Sequence, residues 1–263
     1  MRNLFHYHRI IPWIIPVIFL AAWFLATKFG WVPGYLLPDP FRIIQSGYVY
    51  LFADIGSGPY AGRFLDDTLV SVMRVGSGFS VAVLLGIPLG VVSGRMSICR
   101  RLMSTTINGL RAVPGICWLP LALVWFGIGM QTTVFLVALA AFFPIYINTA
   151  AGTRQVSPLL YQAGAMLGVG RFRGIFAILL PAAMPQIISG LRLGLGLAWA
   201  YLVLGELTGV PNGLGAVIMD ARMLGRIDII IVGIIIIAVM GRISDLLLNT
   251  VLRLFFKSAR RMA

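Results

Sequence analysis

The sequence is short of charge. Of its 263 residues, 21 are Lys or Arg and 8 are Asp or Glu, 11% in all. A soluble domain gives about a quarter of its positions to charge, so this chain cannot cover a globule with hydrated side chains. That excludes an ordinary cytosolic enzyme and a disordered chain, and the net charge of +13 does not mark a nucleic-acid binder. Single residue types are scarcer still. The two histidines, His6 and His8, stand before the first apolar run, so neither an intramembrane Ser–His pair nor an H-E-x-x-H zinc site can form. Glu206 is the only glutamate, which leaves a paired-carboxylate mechanism no second partner except a loop aspartate. The lysines, Lys28 and Lys257, follow no glycine-rich loop. A phosphate-binding P-loop is therefore absent, and energy for any driven process must come from a partner. Two cysteines, Cys99 and Cys117, exclude a disulfide framework and a multi-cysteine metal site.

What is abundant is apolar. Hydrophobic residues make up 59% of the chain and the mean hydropathy is +0.95. At about 20 residues per span, the length suits one domain of roughly six membrane helices. Apolar runs between charge or turn clusters place them at 10–27, about 68–93, 111–127, 132–151, 182–207 and 228–248. The third contains Pro114 and Pro120, which are expected to break its helix. The sixth continues as an amphipathic tail, with Leu247, Val251, Leu254 and Phe255 interleaved with Arg253 and Lys257. The first run lacks a small-x-small cleavage site, so it reads as a retained helix rather than a signal peptide.

The charges that exist are sorted. With both termini in the cytoplasm, fifteen basic residues face inward against Asp245 alone, and five basic residues face outward against six aspartates. Arg74 and Glu206 remain within the membrane and cancel. The reverse orientation would place Arg95, Arg100 and Arg101 outside, against the inward bias of basic loops.

The longest inner loop, 157–181, has internal grammar. Ser157-Pro158 combines a capping hydroxyl with proline at the first helical position. A short helix should run to Leu167, and Gly168 can adopt the left-handed conformation that ends it. A second short helix, basic through Arg171 and Arg173, should follow from about Gly170 to Leu180, with Pro181 before the next span. The plain alternative is an interfacial loop carrying positive-inside residues.

This loop resembles the "EAA" motif of permease subunits of bacterial ATP-binding-cassette importers: E-A-A, three residues, G, nine residues, I-x-L-P. Here the matching positions are Gln162-Ala163-Gly164, then Gly168, then Ile178-Leu179-Leu180-Pro181. Gln162 replaces the motif's Glu and Gly164 its second Ala. The resemblance extends from about Arg74 to the C-terminus. It includes Leu110-Arg111-Ala112-Val113-Pro114, Phe143-Pro144-Ile145-Tyr146-Ile147-Asn148-Thr149 and Gly205-Glu206-Leu207, and is similar to the sulfonate/taurine/nitrate/bicarbonate branch.

The resemblance implies an all-α, six-helix permease of the type I, MetI-like fold in the bacterial inner membrane. It implies a dimer of permeases, two ATPase subunits that hold ATP and Mg, and an extracytoplasmic binding protein. Lipid is expected around the chain, and no cofactor, metal or nucleic acid is expected to bind it. It implies that Gln162, Ala163, Gly164, Gly168, Arg171, Arg173, Ile178 and Pro181 form the ATPase-coupling elbow. The substrate expected is a small oxyanion, aliphatic sulfonate or taurine before nitrate or bicarbonate. A thiamine-precursor pyrimidine is the alternative within the branch, and an autonomous channel or secondary transporter the alternative outside it.

Four residues are expected on the pathway or gate: Arg111, Pro114, Trp125 and Glu206. Each has a plainer reading. Arg111 could snorkel to headgroups, as could Arg192. Pro114 could pack on protein, and Trp125 could belong to an interfacial belt. Glu206 could serve as a hydrogen-bonding partner for a neighbouring helix or for Arg74. Gly86/Gly90 and Gly190/Gly194 have small-x-x-x-small spacing, which favours close helix packing.

Overall fold

A computed structural model describes residues 4–54 and 56–255, and every regular element in them is helical. In chain order the helices are α1 (Leu4–Lys28), α2 (Pro40–Phe52), α3 (Phe64–Arg95), α4 (Ser97–Ala112), α5 (Trp118–Phe126), α6 (Met130–Gln155), α7 (Pro158–Met166), α8 (Arg171–Gly174), α9 (Leu180–Glu206), α10 (Leu214–Met223) and α11 (Ile227–Phe255). A 3₁₀ turn, Gly115–Cys117, precedes α5, and a π turn, Ile175–Leu179, joins α8 to α9. The tail residues Lys257, Arg260 and Arg261 lie outside the described residues.

Among the described residues, four helices are long and apolar enough to cross a membrane: α3, α6, the run Phe172–Glu206, and α11. The third expected span, 111–127, is not one helix. α4 and Gly115–Phe126 meet the same criterion only as a pair bent by 85°. The cause is local. A residue before proline is pushed out of the α region, and Val113 is extended (φ −74°, ψ 121°) ahead of Pro114. Pro120 breaks nothing, because it lies in the first turn of α5, where an N–H has no helical acceptor anyway. The fifth expected span begins about ten residues early, since α8 and the π turn run on into α9. Pro181 has no N–H, and its ring crowds the carbonyl four residues back. That carbonyl belongs to Ala177, inside the π turn, where the wider i→i+5 winding makes room.

The described residues fall into two compact units. One comprises the chain to Leu65 together with Val217–Ile235. In it, Tyr50 is fully buried and meets Phe64 edge-on at 5.7 Å. Ser46 on α2 donates to Asp228 Oδ2 at 2.6 Å, and the Arg226 Nη2 donates to the same oxygen at 2.7 Å, so α2 is tied to the start of α11.

The other unit comprises Asp66–Ala216 and the chain from Ile236 onward. Its centre is α6, with α3 on one side and α9 on another. Glycines make both approaches close. A Cβ on Gly90 would lie 2.6 Å from Thr149 Cβ, and one on Gly86 2.9 Å from Ile145 Cγ2. Across the other contact, a Cβ on Gly190 would lie 2.8 Å from Asn148 Cβ, and one on Gly194 3.0 Å from Ile145 Cγ1. Apolar helices in lipid gain little from hydrophobic burial, so dispersion at close range and a few polar links hold them. One such link is the Tyr146 hydroxyl donating to Ser93 Oγ at 2.7 Å. Both small-x-x-x-small pairs are thus spent inside the chain.

Candidate functional site: elbow and cavities

The elbow is built from local signals. Ser157 Oγ accepts from the Leu159 N–H at 3.3 Å, and Pro158 occupies the first helical position of α7. At the other end Gly168 has φ +79°. Its N–H donates to Ala165 O at 3.0 Å, and the Val169 N–H donates to Gly164 O at 2.9 Å. This pair of bonds is a Schellman motif, closed by a residue in the left-handed region that favours glycine.

Across the elbow, Gly164 is buried against Ile178. A Cβ at position 164 would overlap the Ile178 Cδ1 atom. The departure of Gly164 from the motif's alanine therefore has a physical partner, since Ile178 fills the space an alanine methyl would take. Arg95, at the end of α3, places its guanidinium 3.8 Å from the centroid of the Tyr161 ring on α7, a cation–π contact. Burial pushes the Tyr161 hydroxyl pKa up, with Arg95 working against it.

Gln162, Ala163, Arg173 and Pro181 are exposed, while the side chain of Arg171 lies outside the described residues. Met166 is 89% exposed, Leu167 83% and Phe172 84%. An element fixed by caps and a stacked arginine thus carries a bare apolar tip.

Two cavities flank α6. The larger, about 370 Å³, is bounded by Arg111 and Val113 at the end of α4, by Gly115 and Trp118 beyond the bend, and by Phe143, Asn148 and Tyr201. The break at Pro114 shapes this wall, although Val113 and Gly115, not Pro114 itself, line it. Pro144 also lines the cavity. Its ring frees the carbonyl of Ala140, another lining residue. Irregular backbone at membrane depth is tolerated where it borders such a space. Asn148 donates from Nδ2 to Pro144 O at 2.8 Å.

The smaller cavity, about 200 Å³, is lined by Arg100, Ser104 and Asn108 from α4 and by Tyr146 and Arg154 from α6. Ile147 lines both spaces. No Asp or Glu lines either one.

Of the residues expected on the pathway, Arg111 alone reaches a cavity wall. Trp125 is 56% exposed and packs edge-on against Phe126 and Phe135, at 6.2 and 6.0 Å. Arg192 is held by Asp245 on α11 through two bonds of 2.9 and 3.0 Å, which ties α9 to α11. Glu206 lines neither cavity and is fully buried. Its Oε1 accepts from Ser71 Oγ and Arg74 Nη1, both at 2.7 Å, and its Oε2 accepts from the Gly215 N–H at 2.7 Å. Arg74 Nη1 also donates to Asn212 O at 2.7 Å. The neighbouring N–H groups of Gly213 and Leu214 donate to Asp67 Oδ1 and Ser71 Oγ, at 3.0 and 2.9 Å. Three free donors at the start of α10 are thus satisfied by side chains of α3 and α9. This is a structural joint of the kind foreseen in a Glu206–Arg74 partnership.

Sequence reasoning missed Asn148 and Tyr201 as lining residues, together with Arg100, Ser104 and Asn108 on the polar face of α4 that ends at Arg111. The signal was present in the spacing 100, 104, 108, 111, which is one helical face, but two adjacent arginines interrupt the apolar run and hide the helix.

Residues 86–260 match the family described as binding-protein-dependent transport system inner membrane component. The chain is 34% identical to SsuC of Escherichia coli (strain K12), named for aliphatic sulfonates transport, over 95% of this chain and 92% of that one. It is 31% identical to the taurine transport system permease protein TauC of the same organism, over 90% and 85%. Among solved structures, a chain of the inward-facing MetNI methionine ABC transporter superposes with a TM-score of 0.59 at 18% identity, covering 74% of this chain and 99% of that one. That likeness shows the fold. With the family matched across both cavities and the elbow, the chain belongs to the binding-protein-dependent transport system inner membrane components, as a permease subunit of an ABC transporter.

Proposed function

We propose that the chain forms half of the path through an ATP-driven importer of a small oxyanion, with aliphatic sulfonate or taurine first and nitrate or bicarbonate next. The observation that carries this reading is the larger cavity, where Arg111 stands with no Asp or Glu in the lining. A cation without a carboxylate neighbour is a natural counter-charge for an oxyanion. The names of SsuC and TauC point to the same class. Two copies of the permease pair, six spans hold both termini in the bacterial cytoplasm, and a binding protein delivers the solute from outside. The elbow 157–181 of each copy enters a cleft of one ATPase, and the ATPases alone hold ATP and Mg. The permease has no catalytic role.

The test is uptake by vesicles containing permease, ATPase and binding protein, with taurine, an alkanesulfonate, nitrate and a neutral pyrimidine offered in turn. ATP-driven uptake of a sulfonate is expected. Arg111→Gln should lower it about tenfold or more, in line with losing one charged hydrogen bond of about 1.5–3 kcal/mol. ATPase co-purification should be unchanged. Uptake of the pyrimidine with none of the anions would overturn the substrate class. The aromatic walls Trp118, Phe143 and Tyr201 are what such a ring would stack on.

A further inference from the structure

The smaller cavity has no role in the reading above. On α4, Arg100, Ser104 and Asn108 recur at intervals of four and face this space, and Arg111 continues the same face into the larger cavity. Arg154, from the end of α6, also lines the smaller space. Among the described residues neither Arg100 nor Arg154 has a carboxylate partner. Asp245, the one acidic residue assigned to the cytoplasmic side, is engaged by Arg192 and Arg242. Ser104 and Asn108 add neutral donors between the arginines. Two guanidinium groups, a hydroxyl and an amide around about 200 Å³, with no negative charge in the wall, form a place where an oxyanion is favoured. The space adjoins the larger cavity at Ile147.

We propose that Arg100, Ser104, Asn108 and Arg154 form a second oxyanion site, which receives the solute from the Arg111 cavity and holds it on the cytoplasmic side before release. This rests on the oxyanion reading above. Two sites in series lower the depth of each: the anion leaves Arg111 for a nearby positive site rather than for bare solvent. The chemistry recognised is a tetrahedral or planar oxyanion, and an anionic lipid headgroup shares it.

The experiment uses the permease–ATPase complex in vesicles of neutral lipid, with Cys99 and Cys117 replaced by Ser. A thiol is introduced by S104C, and in a parallel variant by N108C. Its rates of reaction with a sulfonate-bearing and an ammonium-bearing methanethiosulfonate are compared. T106C, on the opposite face of α4, provides the reference. Electrostatic focusing in a charged cleft raises local anion concentration by about tenfold or more, so the anionic reagent should gain about tenfold at position 104 relative to 106. Methanesulfonate should slow it, and neutral dimethyl sulfone should not. R100Q with R154Q should return the ratio to the value at 106. Equal ratios at 104 and 106 would overturn the proposal, because they would show only the general field of a basic surface. So would protection produced by anionic lipid but not by methanesulfonate. If sulfonate uptake fails while the charge preference at 104 persists, the substrate assignment is wrong and the anion site stands.

Discussion

Glu206→Ala should be a severely damaging truncation. It strands a buried Arg74 charge and leaves the Ser71 hydroxyl and the Gly215 N–H without their acceptor. Removing one partner of a buried pair costs about 3–5 kcal/mol, so the purified variant should melt well below the parent in a thermal unfolding series. Replacing both partners, with Arg74→Met and Glu206→Leu, should recover part of that loss, because no charge is then stranded. The pairing was legible in the sequence as two opposite charges alone within the membrane. Its role was not, because a carboxylate on a transport path and one that ties three helices together look the same until the N–H groups of Gly213, Leu214 and Gly215 are seen around it. Arg192 presented the same difficulty, since its partner Asp245 is 53 positions away in sequence.

The elbow carries the predictions at the level of elements. Gly168 sits at φ +79°, where a residue with a Cβ costs about 1–2 kcal/mol. Gly168→Asp should leave the protein in the membrane yet abolish ATPase co-purification, and a variant that still pulls down the ATPase and transports would refute the docking role. Gly164→Val should push Ile178 out of its seat and uncouple the elbow, while adding Ile178→Ala should restore uptake by reopening the space. The start and stop of α7 were legible because Ser157, Pro158 and Gly168 act through their own backbone. The continuity of α8 with α9 was not, since carrying a helix past Pro181 takes a π turn, which no local propensity announces. α2 and α4 were missed because a search for long apolar runs passes over short or charged helices. The bend at Pro114 was foreseen in kind but not in extent.

At the scale of the whole molecule, scarcity and sorting of charge made the fold class readable. A chain with 11% charged residues has to sit in lipid, and the fifteen-to-one inner excess fixes a direction to test. In a cysteine-free background, an impermeant thiol reagent added outside intact cells should label Asp54→Cys and spare Gln155→Cys. The opposite pattern would invert the topology. The absence of any P-loop in the sequence sharpens the central proposal, that this chain is a conduit driven by a partner ATPase. The most direct measurement is uptake of labelled taurine or alkanesulfonate into vesicles carrying the permease alone, and into vesicles carrying permease, ATPase, binding protein and ATP. The account predicts uptake only in the second set, lost again when Gly168→Asp replaces the parent permease. Saturable uptake by the permease alone would contradict it and make the chain an autonomous channel or carrier.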